Sequence, residues 1–228
     1  MVELKKKLKI LCLHGYRQNA LMFREKTGGL RKALKSLAEF EFITAPLIPD
    51  IPVDSSNDCD SNGTESSNEI GPRAWWFSKE VKTFSSKDVC NIAVGFDEAV
   101  KEVTTFIKEN GPFDGLMGFS QGASMVHLLT SLGYKKEIQL SWKFIIMMSS
   151  FKSLSSVHES LIDNDITGIP SLQIYGENDQ VVNCERSKEL TKHFSNPDPI
   201  IITHPGGHCV PPMSSAKEPL RNFLKQFL

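Results

Sequence analysis

Short apolar runs alternate with helix-period segments from one end of this chain to the other, and no other feature of the sequence narrows the fold as far. That alternation is the pattern of βαβ units around a parallel sheet. Strands are expected at Leu8–Leu13, Phe40–Ala45, Gly115–Phe119, Phe144–Met148, Ser171–Tyr175 and Ile200–Thr203. Between them, Phe23–Ala38, Ile92–Asn110, Gln121–Leu132, Glu185–Phe194 and Ser215–Leu228 carry apolar residues at three- and four-residue spacing, as amphipathic crossover helices do. Five helices and six strands predict an α/β protein with a mostly parallel central sheet and helices on both faces.

The 228 residues suit one domain, 1–228, because a single core serves roughly 200 to 250 residues in α/β architectures. The exception to the alternation is a polar excursion at about residues 46–72. Asp, Ser, Asn, Pro and Gly crowd there, and apolar residues almost vanish around Ser55–Asn68. Such a stretch cannot offset its ordering entropy, and it reads as a surface excursion inside the domain rather than a linker.

Charge excludes one class of partner. Lys plus Arg (26) nearly balances Asp plus Glu (27), so the net charge of -1 sets up no field to gather phosphate backbones, and nucleic acid is not expected. Met1 to Leu13 starts basic and turns apolar in the manner of a signal peptide, but Lys9 interrupts the run, and it reads as a first strand. No stretch of about 18 apolar residues occurs, so no membrane span is expected. The five cysteines (Cys12, Cys59, Cys90, Cys184, Cys209) are odd in number, widely spread and without a Cys-x-x-Cys pair for zinc or redox exchange. Free thiols in a reducing compartment follow: cytoplasmic, with the nucleus as the alternative. No metal or other cofactor is called for, and nothing in the sequence speaks to oligomeric state.

Gly118-Phe119-Ser120-Gln121-Gly122 matches Gly-x-Ser-x-Gly, the turn at which a strand passes sharply into a helix and presents a serine oxygen above the sheet. Its glycines are needed where neighbouring backbone comes too close for a side chain. The match follows the apolar run Gly115–Phe119 and precedes a helical pattern of Ala123, Met125, Val126, Leu128 and Leu129, the setting such a turn demands. A serine that merely caps the next helix is the plainer alternative. The two roles are compatible, since a helix N-terminus also stabilises developing negative charge.

A serine hydroxyl is a poor nucleophile near neutral pH and needs a base within hydrogen-bond reach and a group that fixes the base. Sheets that present serine this way supply the partners in the order Ser, acid, His. Gly176-Glu177-Asn178-Asp179 follows the strand Ser171–Tyr175 at its carboxyl end, and Asp179 is the candidate acid, with Glu177 its competitor. For the base, His208 follows Gly206-Gly207, which frees the loop to swing its imidazole inward, whereas His204 is pinned by Pro205. His14, His127, His158 and His193 read as structural, though His127 lies two turns beyond Ser120 and is able to line a wall.

Two amides must face the developing oxyanion, and one belongs to the residue after the nucleophile, Gln121. The second normally comes from the turn after an early strand, here His14-Gly15-Tyr16-Arg17, which gives the Tyr16 amide. Trp75-Trp76-Phe77 closes the polar excursion, and Trp75 and Trp76 either plug the core or contact substrate as the wall of an acyl groove.

Four stretches together resemble one family. They are Leu11-Cys12-Leu13-His14-Gly15-Tyr16-Arg17-Gln18-Asn19, Arg73-Ala74-Trp75-Trp76-Phe77, the run from Gly111 to Gly122, and Gly206-Gly207-His208. The chain is similar, over nearly its whole length, to the serine hydrolases that take in the ovarian cancer-associated gene 2 proteins, the fungal family of serine hydrolases and LovG-type thioesterases. The resemblance implies an α/β-hydrolase fold and carboxylesterase or thioesterase activity on a small-molecule acyl ester or thioester. With 14 Phe and 7 Met available to line an acyl channel, medium to long acyl chains are expected. Carried onto this sequence, the family's triad falls on Ser120, Asp179 and His208.

Overall fold

The computed structural model describes residues 7–50, 71–139, 141–163 and 165–228. In chain order the elements are β1 (Leu8–Leu13), α1 (Ala20–Lys26), α2 (Gly28–Leu34), β2 (Ala38–Ile43), α3 (Phe96–Asn110), β3 (Gly115–Phe119), α4 (Gln121–Tyr134), β4 (Phe144–Met148), a 3-10 turn (Ser156–His158) leading into α5 (Glu159–Ile162), β5 (Ile166–Thr167), β6 (Ser171–Gly176), α6 (Cys184–Thr191), β7 (Phe194–Ser195), β8 (Ile200–His204) and α7 (Met213–Lys225).

Six strands form the central sheet in the order β2-β1-β3-β4-β6-β8, and every neighbouring pair is parallel. With its helices this is the α/β-hydrolase fold. The chain leaves β1 toward one edge to make β2, then returns to build β3 on the other side of β1. Loops that diverge at such a reversal open a crevice above the carboxyl ends of the strands. The turns after β1 and β3 both lie there, and they carry Tyr16 and Ser120.

The apolar strands owe their continuity to the helices on both faces, because successive side chains point to opposite sides. Leu11 and Leu13 of β1, Leu116 of β3, and Ile145 and Met147 of β4 enter one core with Ala99 and Val103 of α3 and the apolar residues of α4. Ile10 and Cys12, Met117 and Phe119, and Ile146 and Met148 enter the other with Leu30 and Leu34 of α2 and Leu220, Phe223 and Leu224 of α7. Each of these large side chains contributes about 1.5–3 kcal/mol on burial.

Several boundaries differ from the expected ones for local reasons. The helix expected at Phe23–Ala38 is two helices, broken at Thr27, whose hydroxyl donates to the Phe23 and Arg24 carbonyls. The second strand sits two residues earlier than Phe40–Ala45. Its expected end instead serves the turn after β1, with Thr44 Oγ1 accepting from the Ala20 N–H and the Ala45 N–H donating to His14 Nε2. Residues before Phe96 do not join α3, since Val94 pairs with Phe77 in an isolated bridge. The expected polar stretch Ser55–Asn68, and Cys59 within it, lie outside the described residues. The other four cysteines are free thiols. Among the described residues no helix is long and apolar enough to cross a membrane.

Candidate active site

Ser120 stands alone between β3 and α4 with φ 54° and ψ -120°, a conformation L-residues rarely adopt and one that costs on the order of 1–3 kcal/mol. The surroundings hold it there. Its N–H donates to the Met148 carbonyl at 2.9 Å, and its carbonyl accepts from the Ser124 N–H at 3.0 Å. The flanking glycines permit the turn by close approach: a Cβ on Gly118 would run into the Gly122 carbonyl and lie 2.6 Å from Ala123 Cα. A Cβ on Gly122 would meet the Leu13 and His14 carbonyl oxygens, so this glycine lets α4 rest on the turn after β1.

The structure brings Ser120, His208 and Asp179 together from three strand ends. The Ser120 hydroxyl donates to His208 Nε2 at 2.9 Å, and His208 Nδ1 donates to Asp179 Oδ2 at 2.7 Å. The other carboxylate oxygen accepts from the Val181 and Val182 N–H groups at 2.9 and 2.8 Å. Burial alone would raise the Asp179 pKa, but the hydrogen bond from His208 and the backbone N–H of Val182 outweigh it and hold the carboxyl below its ordinary value. The His208 ring packs on Phe119 at 4.8 Å. Such an arrangement can draw a proton from one hydroxyl and hold the resulting imidazolium against a fixed carboxylate.

The competitors are placed elsewhere. Glu177 is exposed, and its N–H is spent on the His204 carbonyl. His204 is buried at the end of β8, where Nδ1 accepts from the Gly206 N–H and burial lowers its pKa. His14 is fully buried, donating from Nδ1 to the Gly15 carbonyl, and burial holds its pKa at about 4. His158 shares a 2.8 Å hydrogen bond with Ser153, and burial brings its pKa to about 4. His127 lines no open wall: it is wholly enclosed, with its ring against His193 and Phe194, and burial first, then His193, bring its pKa to about 3.

Gly206 and Gly207 serve a different purpose from the swing expected of them. Neither adopts a positive φ. They pass close over the end of β6, where a Cβ on Gly176 would run into the Gly206 carbonyl oxygen and lie 2.5 Å from that of Gly207. Gly176, the last residue of β6, is thus what lets the loop bearing His208 settle beside Asp179. Its position before the acid loop was the only hint in the sequence.

The amides of Tyr16 and Gln121 both lie at this end of the sheet. Gln121 opens α4, so its N–H has no preceding helical turn to receive it. Its buried side chain takes a role the sequence did not suggest: Oε1 accepts from the Trp75 N–H at 3.0 Å and Nε2 donates to the Trp76 carbonyl at 2.7 Å. Trp75 is fully buried with its indole N–H donating to the His14 carbonyl at 2.8 Å, which fits the core-plug alternative and gives substrate no surface. Trp76 is also buried, and it borders a small recess walled by Phe84, Phe151 and Leu154 on one part and by serines and Asp88 on the rest. Phe151 follows β4 closely and both accepts from and donates to Ser124 Oγ, one helical turn beyond Ser120. Among the described residues no three His, Cys, Asp or Glu side chains gather as a metal cage.

Comparison with known proteins places the chain in one family. A family model described as serine hydrolase (FSH1) matches residues 2–220. Esterase C25G4.2 of Caenorhabditis elegans is 46% identical over 224 residues, spanning 97% of this chain and 95% of the esterase. Esterase OVCA2 of Danio rerio is 38% identical over 225 residues, spanning 96% of this chain and 97% of its own length. Among solved structures, Zea mays acyl-protein thioesterase 2 matches with a TM-score of 0.60 and 20% identity over 98% of this chain and 97% of that one, a likeness of fold.

Proposed function

The chain belongs to the serine hydrolase (FSH1) family, and from that premise we propose that it cleaves carboxylic esters through an acyl-enzyme formed on Ser120. The observation that carries the reading is the unbroken relay from the Ser120 hydroxyl through His208 to Asp179, at 2.9 and 2.7 Å. Ser120 Oγ attacks the acyl carbon as His208 Nε2 takes its proton, and Asp179 stabilises the imidazolium without itself becoming protonated. The carbonyl oxygen, now negative, is received by the amides of Tyr16 and Gln121. When the tetrahedral centre collapses, the C–O bond to the leaving group breaks and His208 returns its proton to the departing alkoxide. Water then repeats the sequence on the acyl-enzyme, yielding the free acid and restoring the serine.

Acyl chains of medium to long length are the substrate class we favour, supported by the 14 Phe and 7 Met available to line an acyl channel. Thiol esters enter the same cycle with a thiol as leaving group, a reading favoured by the fold likeness to a thioesterase. Hydrolysis of nitrophenyl esters from acetate to laurate, beside matched oxygen and thiol esters, tests both points. Faster turnover of the longer chains is expected. A steady preference for acetate would count against the chain-length reading, and loss of all hydrolysis only on thiol-ester substitution would remove the second.

A further inference from the structure

Among the described residues six other than glycine adopt a positive φ, and two of them are buried: Ser120 and Ser149. The first is the nucleophile. Ser149, at φ 48°, directly follows β4 and is only 1% exposed. Backbone bonds step from one serine to the other and on to the acid's strand. The Ser120 N–H donates to the Met148 carbonyl at 2.9 Å, and the Ser149 N–H donates to the Ile174 carbonyl of β6 at 2.8 Å. A buried turn of this kind costs least with glycine, which meets no steric penalty at positive φ. Serine adds backbone strain and a buried polar group. Its Oγ is shut away from water and lies outside good hydrogen-bond geometry with any group among the described residues. One charge lies near it. Burial raises the Asp179 pKa, and the His208 hydrogen bond, the Val182 N–H and lastly the Ser149 hydroxyl together bring it below its ordinary value.

We propose that Ser149 is a positioning residue whose hydroxyl donates to the Asp179 carboxylate as His208 takes the Ser120 proton, holding that carboxylate in line with the imidazole. The proposal rests on the hydrolase reading above and adds a fourth side chain to it. Asp179 spends one oxygen on Val181 and Val182 and the other on His208, and a carboxylate has room for about four donors. A further donor, from the end of a different strand, restrains the group from tilting out of line with His208 Nδ1. Hydrogen bonds that serve a reaction are often long in the resting protein and tighten as the reaction proceeds, which accounts for a hydroxyl that stands near the carboxylate without yet closing on it.

The test compares wild type with Ser149→Ala, which removes the hydroxyl and keeps the strained Cβ, and with Ser149→Gly, which removes both. Each is measured to saturation on p-nitrophenyl butyrate, with fluorophosphonate titration of Ser120 counting intact sites and with proton NMR of the hydrogen that His208 Nδ1 shares with Asp179. In both variants kcat per intact site should fall about tenfold with KM unchanged, since misalignment of reacting groups by a fraction of an ångström costs on this order. The shared proton should move upfield as its hydrogen bond loses its line. If Ser149→Ala does not fold, Ser149→Gly decides alone, because glycine takes φ 48° without strain. Wild-type kcat in Ser149→Gly would overturn the proposal, leaving the turn and not the hydroxyl as what matters. A shared proton that stays in place would overturn it too, and so would one that moves downfield, which marks a hydroxyl that only competes for the carboxylate. Wild type that titrates normally confines any of these failures to Ser149, while wild type that takes no fluorophosphonate brings down the hydrolase reading with it.

Discussion

Replacing Asp179 by asparagine should remove nearly all turnover while leaving the fold in place. One carboxylate oxygen accepts from two backbone donors, Val181 and Val182, and the other from His208 Nδ1. An asparagine must set its oxygen toward the two valine N–H groups, which directs its NH2 at His208 Nδ1. Two donors then face each other unless the imidazole moves its proton to Nε2. In that tautomer Nε2 points an N–H at Ser120 and cannot accept the hydroxyl proton. Loss of a correctly held tautomer lowers kcat by about 10⁴, equivalent to about 5.5 kcal/mol. The retained valine hydrogen bonds should keep the melting temperature within a few degrees of wild type at pH 7. The acid limb should differ as well. A carboxyl whose folded pKa lies below its unfolded value stabilises the protein above the unfolded pKa of about 3.9, and that stability is lost as pH falls through the lower folded value. The variant should therefore lose stability less steeply than wild type below about pH 4. Saturation kinetics on a nitrophenyl ester, paired with thermal melts at pH 7 and pH 3, supply the measurement. A variant with kcat within tenfold of wild type would refute the reasoning, and exposed Glu177 offers no substitute for the lost charge.

Three further outcomes follow from the same contacts. Gly176→Ala places a methyl against the Gly206 and Gly207 carbonyls and must displace the loop carrying His208. Turnover should fall at least about tenfold and stability by about 1–3 kcal/mol, and wild-type values of both would contradict the packing account. Trp75→Phe strips the His14 carbonyl of its buried donor and should lower urea-measured stability by about 1–3 kcal/mol, with no change expected if that carbonyl finds other partners. His14, His127 and His158 are held neutral by burial, with pKa values at about 4, 3 and 4. Between the ordinary value near 6.5 and these folded values the unfolded chain binds more protons, so stability is full above about pH 6.5 and declines as pH falls toward 4. Urea midpoints that stay flat from pH 7 to pH 4.5 would show that these rings reach water.

The sheet was legible because the interior strands β1, β3 and β4 are apolar almost throughout, and they lie at the residues their runs mark out. Helix periodicity survived where the chain did not stay helical. The three- and four-residue spacing of Phe23 to Ala38 continues straight through Thr27, and nothing in that spacing reports a side-chain hydroxyl that shares the Phe23 carbonyl with its own N–H and also reaches that of Arg24. Two-residue strands such as β5 and β7 carry no period and could not be found. At the site, residue type and chain order pointed to Ser120, Asp179 and His208. Contacts between distant segments were illegible, which is why the clasp of Gln121 on Trp75 and Trp76, the reach of Tyr16 to Phe84 and the clearance at Gly176 emerged only in three dimensions.

One reactive oxygen, that of Ser120, carries the proposed reaction. Incubation with a fluorophosphonate, followed by proteolysis and mass spectrometry, should place a single phosphonate on Ser120, with labelling abolished in Ser120→Ala and slowed sharply in His208→Ala. Phosphonate found on another serine, or undiminished in Ser120→Ala, would contradict it.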